Sequence, residues 1–270
     1  MSLNSNNQQE FIKVVHKRKG KLKNKIKNEM LLPVRECNKQ FDLSKHTRRV
    51  SEAKQELLST DIFQSVSALL KEALTHLDNP KVGKIITLGL GQITDLTVPR
   101  YQLALLLCLQ DLLEAKIIAF DPIFNENDKE LLTNFGIKVE NLNVEAKHKV
   151  NTETILFYLP HCPKQLTNNL LWSNWGLNLS KCIIIGNSIS KIIEDDLGIL
   201  VKYVDKICPY VLELNIVNNF KIFEVFNDTS IHIFPMDKLK FLSQDFWEEH
   251  QEPQYSDSDI EFVRQNKLVL

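Results

Sequence analysis

Apolar residues along this chain follow two patterns, a helical spacing of three and four residues and short continuous runs. The helical spacing extends from Glu52 to Leu77 and predicts an amphipathic helix, in two segments, packed on one face of a sheet. The continuous runs are rich in β-branched residues and predict strands buried on both faces. Five runs are clear and two are weaker: Ile85–Leu88, Lys116–Pro122, Ile137–Leu142, Thr154–Pro160 and Lys181–Gly186, then Lys221–Phe226 and Ile231–Phe234.

Segments with helical spacing stand between these strands. Strands that alternate with helices are joined by right-handed crossovers and form a mainly parallel sheet. The predicted fold class is therefore α/β, a Rossmann-like three-layer sandwich with helices on both faces of the central sheet. The predicted helices are Tyr101–Leu113, Asn125–Phe135, Pro163–Trp175, Ser190–Leu200 and a short one around Leu239–Glu248.

A glycine turn follows the first strand. Gly89 and Gly91 allow the chain to turn sharply and let a ligand approach the backbone. Thr94, Asp95 and Thr97 are then available to cap the next helix. The turn lacks the third glycine of the dinucleotide fingerprint, because Thr94 stands in that position. A ligand, if there is one, is expected over this turn, although turn glycines without a ligand are an equal alternative.

The carboxyl ends of the predicted strands carry the candidate ligand-binding residues. In an open parallel sheet these ends meet at one edge, where ligands bind near the reversal of strand order. Asp121 ends the second strand, where an acid can accept hydrogen bonds from a ribose; alternatively it caps the following helix or fixes the Asp-Pro turn. The candidates are Gly89, Gly91, Asp121, His161, Asn187 and Ser188, with His232 as a weaker addition.

Catalytic residues are not identified. His161 and Cys162 are adjacent, so their side chains should point apart, and a histidine bonded to a loop carbonyl beside a buried thiol is expected. The histidines and cysteines show no metal-ligand spacing, so no metal site is predicted. No G-x-S-x-G, H-E-x-x-H or P-loop pattern is present. Whether the protein is an enzyme stays open, and its cofactor, if any, is unknown.

Composition adds a domain organisation. The chain has 270 residues, 43% hydrophobic residues and a net charge of −1. Residues 1–45 are predicted to be a basic, disordered tail, residues 46–248 a single domain, and residues 249–270 an acidic, disordered tail. The five cysteines are odd in number and widely spaced, and no signal peptide or membrane-spanning run is evident. A cytoplasmic and also nuclear location is expected.

The basic tail has its highest charge between Lys13 and Lys27, with eight Lys/Arg and no acidic residue. The alternatives to a solvated tail are a nuclear localisation signal and an RNA-contacting arm. Aromatic residues that would stack on bases are missing from it, so nucleic acid is not an expected partner.

Several segments together resemble one known family. They are LGLGQITDLTVPRYQLALLLCL, FDPIFNENDKELLTNFGIKV, FYLPHCPKQLTNNLLWSNW and CIIIGNS. Their order and spacing are similar to those of the sensitivity-to-red-light-reduced (SRR-like) family, over roughly residues 80 to 235. The matching positions are Gly89, Gly91, Arg100, Tyr101, Gln102, Asp121, Pro122, His161, Asn168, Asn169, Trp175, Gly186, Asn187 and Ser188.

The resemblance implies a regulatory role in the circadian clock and in the control of heme biosynthesis, exerted mainly through binding of regulatory protein partners. It implies no catalytic residues, because the family has no firmly assigned reaction. The alternative hypothesis is a nucleotide-type ligand-binding enzyme, such as an S-adenosylmethionine-dependent methyltransferase, for which the glycine turn and Asp121 are the support. RNA binding by the basic tail ranks third, and no membrane association is expected.

Overall fold

The structure, a computed structural model, describes residues 41–196, 201–248 and 250–256. By the contacts between its residues, the chain forms a compact unit that begins at Phe41. Most of the predicted basic tail, residues 1–40, lies outside the described residues, and its last three residues, 43–45, already belong to the first helix. Within the described residues, no helix is both long enough and apolar enough to cross a membrane.

Nine α-helices and seven strands occur in the described part of the chain. The helices are α1 Leu43–Leu58, α2 Asp61–Thr75, α3 Thr97–Leu113, α4 Glu126–Asn134, α5 Lys164–Ser173, α6 Ile189–Asp196, α7 Lys202–Ile207, α8 Met236–Lys240 and α9 Gln244–Glu248. The strands are β1 Val82–Leu88, β2 Lys116–Phe120, β3 Lys138–Val139, β4 Thr154–Leu159, β5 Cys182–Asn187, β6 Leu212–Asn215 and β7 Thr229–Ile233.

The strands form one sheet in the order β3-β2-β1-β4-β5-β7-β6. Strands β1 to β5 are parallel, and β7 is antiparallel to both β5 and β6. The strand order reverses between β1 and β4, so the ligand crevice of such a sheet is expected there. The predicted Rossmann-like α/β fold with a mainly parallel sheet is confirmed.

Each face of the sheet carries its own apolar layer. The residues of α1 to α4 pack in one layer and those of α5 to α8 in the other. Successive residues of a buried strand point to opposite faces, so Ile85 belongs to the first layer and Ile86 to the second. Every residue of β4 and β7 is buried; β4 is almost continuously apolar, whereas β7 also buries Thr229, Ser230 and His232.

Near the carboxyl end of the domain, one strand prediction is wrong and one strand was not predicted. The segment Lys221–Phe226 is a loop with a 3₁₀ turn at Phe223–Val225. Phe226 packs edge to face on Phe220 in the core, whereas Phe223 is exposed. The edge strand β6 lies instead in a segment without clear periodicity. It has only four residues and none of them is fully buried, so its apolar pattern is weak.

The predicted caps of α3 also differ from the structure. Its N-cap is Leu96, and no side chain bonds the first turn. Thr94 is instead bound by Asp128 of α4, whose Oδ1 accepts from the Thr94 backbone N–H at 2.9 Å and from its hydroxyl at 3.0 Å. Asp128 is fully buried and also forms a capping box with Asn125 at the start of α4. One carboxylate thus joins the β1–α3 turn to the next helix.

The start of the predicted acidic tail contacts the domain. The Tyr255 hydroxyl accepts a hydrogen bond from Asn168 Nδ2 at 2.8 Å and lies 3.0 Å from Asn169 Oδ1, both on α5. Glu252 pairs with Lys147 at 2.6 Å. Residues 251–256 therefore lie against the domain without regular secondary structure, and residues 257–270 lie outside the described residues.

Candidate functional site

The glycine turn brings β1 and the loop after β4 into close contact. Gly89 and Gly91 adopt left-handed backbone angles, with φ of 74° and 76°. A Cβ atom on Gly89 would lie 2.4 Å from the Cys162 Sγ, which donates a hydrogen bond to the Leu88 carbonyl at 3.2 Å. Position 89 therefore requires a glycine for two reasons, the left-handed backbone angle and the space that the Cys162 thiol occupies.

Asp121 binds the same turn. Its Oδ2 accepts a hydrogen bond from the Gly91 N–H at 2.8 Å, and its Oδ1 accepts one from the Ile123 N–H at 3.0 Å. The carboxylate thus fixes the Asp-Pro turn and the glycine turn at once, whereas α4 is capped by Asn125 and not by Asp121. A carboxylate has further lone pairs, so these two bonds leave acceptor capacity for a ligand hydroxyl.

His161 connects three segments of the carboxyl edge. It has a left-handed φ of 52°, and its Nε2 lies 3.2 Å from the Asn227 carbonyl oxygen. A carbonyl only accepts, so Nε2 donates this bond, and Nδ1 then accepts from the Gln102 side-chain amide at 3.3 Å. The buried Gln102 amide also donates to the Val225 carbonyl. The imidazole therefore ties the β4–α5 loop to α3 and to the loop before β7.

Cys162 is a buried thiol without nucleophilic character. Burial, and in second place the nearby Asp121 carboxylate, raise the pKa of the Cys162 thiol far above its usual value. The thiol therefore stays protonated at neutral pH. His161 points to Asn227 and Gln102, and Cys162 to Leu88, so the two adjacent side chains diverge as expected.

Asn187 and Ser188 shape the carboxyl end of β5. The Asn187 side-chain amide donates to the Cys162 carbonyl at 2.8 Å, which fixes the β4–α5 loop. The Ser188 backbone N–H donates to the Asp228 carbonyl at 2.7 Å, and its hydroxyl accepts from the Lys191 N–H at 3.1 Å. Ser188 therefore both begins α6 and binds the start of β7.

These loops enclose a cleft of about 630 Å³, within the usual size range of small-molecule sites. Three of the six candidate residues, His161, Asn187 and Ser188, line it. Gly89, Gly91 and Asp121 lie outside the lining, although Gly89 is in contact with Cys162 at its wall. The lining residues are His161, Cys162, Pro163, Lys164, Asn187, Ser188, Lys191, Ile192, Asn227 and Asp228.

Asn227 and Asp228 are cleft residues that the sequence analysis missed. They precede β7, and only the antiparallel direction of β7 brings its start to the carboxyl edge of the parallel strands. The Asp228 carboxylate pairs with Lys191 at 2.7 Å, and this bond is the main reason that the pKa of Asp228 is lowered. An Asn-Asp pair before an apolar run was the available signal, but it carries no information about strand direction.

His232 does not lie in the cleft lining. It is fully buried within β7, opposite Ile184 of β5, and its Nε2 lies 3.2 Å from the Ile189 backbone nitrogen. The same Nε2 lies 3.6 Å from the Glu213 carboxylate of β6. The weaker prediction for His232 is wrong because β7 is antiparallel, so its end points away from the cleft edge.

Glu213, on the edge strand β6, binds the start of α6. Its Oε2 accepts from the Ser190 N–H at 3.0 Å and from the Ser190 hydroxyl at 2.7 Å. Burial would raise the pKa of Glu213, but His232 and the hydroxyls of Ser188 and Ser190 outweigh it and lower the pKa well below its usual value. The carboxylate is therefore ionised and stabilises the helix next to the cleft.

Among the residues that the structure describes, no group of three or more His, Cys, Asp or Glu side chains could hold a metal ion.

The fold and the cleft together define a Rossmann-like α/β protein with a ligand-sized cleft at the carboxyl edge of its parallel strands. The SRR1 domain pattern matches residues 55–233, well over half of the chain. The chain therefore belongs to the SRR1 domain family.

Relatives come from animals and plants. An SRR1-like protein of Drosophila melanogaster is 30% identical over 71% of this chain and 70% of its own length. An SRR1-like protein of Mus musculus is 33% identical over 49% of this chain and 53% of its own length. The Arabidopsis thaliana protein Sensitivity to red light reduced 1 is 27% identical over 56% of this chain and 58% of its own length. The chain thus matches little more than half the length of the latter two.

Solved structures overlap with this chain only loosely. A crystal structure of a MtNAS mutant in complex with S-adenosylmethionine covers 72% of this chain and 74% of its own, with 13% identity and a TM-score of 0.38. MtNAS in complex with MTA and tNA gives a TM-score of 0.37 at 12% identity, with 70% of each chain covered. Scores this low support no conclusion about activity.

The contact between Gly89 and Cys162 yields a stability prediction. Gly89→Ala should lower the free energy of unfolding by roughly 3 kcal/mol, from the left-handed φ and from overpacking. Gly91→Ala is the matched control, since its Cβ would meet Pro99 Cγ at the milder distance of 3.3 Å, and it should cost about 1–2 kcal/mol. Urea denaturation measures both.

Removing the thiol should rescue part of this loss. The double variant Gly89→Ala/Cys162→Ala should show a coupling energy of at least about 1 kcal/mol relative to the sum of the single changes. Strictly additive effects would show that the thiol does not impose the glycine.

Glu213 predicts a pH dependence. A carboxyl group with a lowered pKa contributes stability that is fully present above its unfolded value of about 4.3 and is lost as the pH falls toward its folded value. The free energy of unfolding of the wild type should therefore fall more steeply below about pH 5 than that of Glu213→Gln. Urea denaturation between about pH 3 and 6 measures this, with Glu130→Gln, an exposed position of α4, as control. Parallel curves for Glu213→Gln and the wild type would contradict the assignment.

Proposed function

We propose that this chain is an SRR-like regulatory protein that acts in circadian clock regulation and in the control of heme biosynthesis, mainly by binding. Membership of the SRR1 domain family supports this proposal. The name of the Arabidopsis relative refers to reduced sensitivity to red light, which supports a regulatory role. The protein would act in the cytoplasm and the nucleus, through protein partners.

The main support for a binding role is that the polar side chains of the cleft are engaged in contacts within the protein. Both ring nitrogens of His161 have partners, the Cys162 thiol is protonated, and the Asp228 carboxylate pairs with Lys191. These groups hold three loops in fixed positions around a cleft of about 630 Å³. A cleft with a prearranged polar wall is suited to recognition, because little ordering is needed when a ligand or a partner side chain enters.

Lys191 offers a test in cells. Lys191→Glu reverses a charge in the cleft, and its half-exposed side chain makes an ion pair of little value to stability, so the variant should fold. In cells that lack this protein, the wild type should restore the free-running period and total heme, and Lys191→Glu should restore neither. The matched control is Lys240→Glu, at an exposed position of α8 outside the cleft lining, which should restore both.

Two outcomes would count against this proposal. Full restoration of period and heme by Lys191→Glu would show that the cleft is not needed for the function. Failure of the wild type to restore period or heme would contradict the regulatory role itself.

A second candidate is a nucleotide-type ligand, such as S-adenosylmethionine, bound at the glycine turn. This candidate is favoured by the 2.8 Å hydrogen bond from the Gly91 N–H to Asp121, because the acid that follows β2 then lies beside the turn where strand order reverses. Against it, the Asp121 carboxylate already accepts two backbone hydrogen bonds.

A thermal-shift screen tests the second candidate. A true ligand present at about 100 times its Kd should add roughly 2.7 kcal/mol to the stability of the wild type. The panel is S-adenosylmethionine, nicotinamide cofactors, nucleotides and heme, and the shift should disappear in Asp121→Asn. No shift with any nucleotide-type compound would rule this candidate out while leaving the regulatory proposal intact.

A further inference from the structure

A second, smaller cleft lies between α1 and α3, on residues that the first cleft does not share. Its volume is about 240 Å³, below the usual range for a drug-sized ligand, so it suits one chemical group of a ligand. Two arginines enter its lining, one from each helix. The lining residues are Arg49, Glu52, Ala53, Glu56, Thr97, Arg100, Tyr101 and Ile222.

Arg100 is only partly satisfied. Its Nη2 donates to the Thr97 hydroxyl at 2.8 Å, whereas its Nε is buried and has no hydrogen-bond partner. A buried donor without an acceptor is costly, and no ion pair within the described residues compensates the charge of Arg100. Burial, and next the charge of Arg49, lower the pKa of Arg100, in agreement with an uncompensated pair of like charges.

Arg49 has no hydrogen bond or ion pair within the described residues, although it is half-buried. Its neighbour Arg48 is different, because that side chain is exposed and lies 3.6 Å from Glu52 one turn further along α1. Burial, then Arg49 and Lys45, lower the pKa of His46 as well, and outweigh Asp42 and Asp95, which act in the opposite direction.

The acidic groups of the cleft already have partners. Glu52 lies next to Arg48, and Glu56 pairs with Lys221 and accepts from the Tyr101 hydroxyl at 2.7 Å. Neither carboxylate is paired with Arg49 or Arg100. The cleft thus presents two guanidinium groups whose charges the surrounding side chains do not neutralise.

The start of α3 adds to this field. This helix has 17 residues and begins at Thr97, and its N-cap Leu96 provides no side-chain hydrogen bond. The positive end of the helix dipole and its first N–H groups therefore lie at the mouth of the cleft, next to Arg100.

We propose that Arg49 and Arg100 form a binding site for a phosphoryl group. Two guanidinium groups match the charge of a dianionic phosphate. A phosphate also offers more acceptor oxygens to their planar arrays of N–H donors than a carboxylate ligand does. The Arg49 guanidinium and the Nη groups of Arg100 are the donors that the phosphate engages. The site does not depend on the proposed regulatory role, and it shares no residue with the first cleft.

Calorimetric titration of the full chain with inorganic phosphate, adenosine monophosphate and acetate tests the site. Phosphate-bearing probes should bind, and Arg49→Gln or Arg100→Gln should raise the Kd at least about tenfold, as expected for a lost charge-assisted hydrogen bond. Arg48→Gln is the matched control on the same helix and should leave the Kd within about twofold. Tighter binding of adenosine monophosphate than of phosphate identifies a phosphate ester as ligand, and equal binding identifies free phosphate.

Melting temperatures separate loss of the site from loss of the fold. Without phosphate, Arg49→Gln should melt no lower than the wild type, because it relieves a like-charge repulsion. With phosphate, the wild type should melt higher than the variant. The site would be refuted if the Arg49 and Arg100 variants bound phosphate like the wild type, if Arg48→Gln lost binding equally, if acetate bound as tightly as phosphate, or if no probe bound.

Discussion

The turn after the first strand is held by carboxylates from the next βα unit, and the arrangement of the carboxyl edge depends on this anchoring. Asp121 binds the Gly91 N–H, and Asp128 binds the backbone and hydroxyl of Thr94. The turn needs such support because two of its residues have left-handed backbone angles and its helix lacks a side-chain cap. Its position in turn allows the Cys162 thiol to lie directly against Gly89.

The cleft beyond this turn is built by side chains that bind backbone atoms. His161 reaches the carbonyl of Asn227, and Asn187 reaches the carbonyl of Cys162. Hydrogen bonds of this kind fix loops, which otherwise are the most mobile part of an α/β fold. His161 and Asn187 thus act as structural supports for the walls of the cleft.

Much of the fold follows from local patterns. The five clear apolar runs became β1 to β5, and the helical spacings became α1 to α6, because buried parallel strands and amphipathic helices leave distinct periodicities. The weak edge strand β6 left no such pattern. The apolar segment Lys221–Phe226 was mistaken for a strand because Val225 and Phe226 are buried in the core from a loop, and burial alone does not distinguish a loop from a strand.

The sequence by itself determined the fold class, the glycine turn, the family and three residues of the cleft. Tertiary structure alone decided the antiparallel direction of β7, which brings Asn227 and Asp228 to the cleft and takes His232 away from it. Tertiary structure alone also brings Arg49 and Arg100, which are 51 positions apart in the chain, into the lining of one cleft. Hydrophobic periodicity records which residues are buried, whereas strand direction and the packing of distant helices depend on long-range contacts that leave no local pattern.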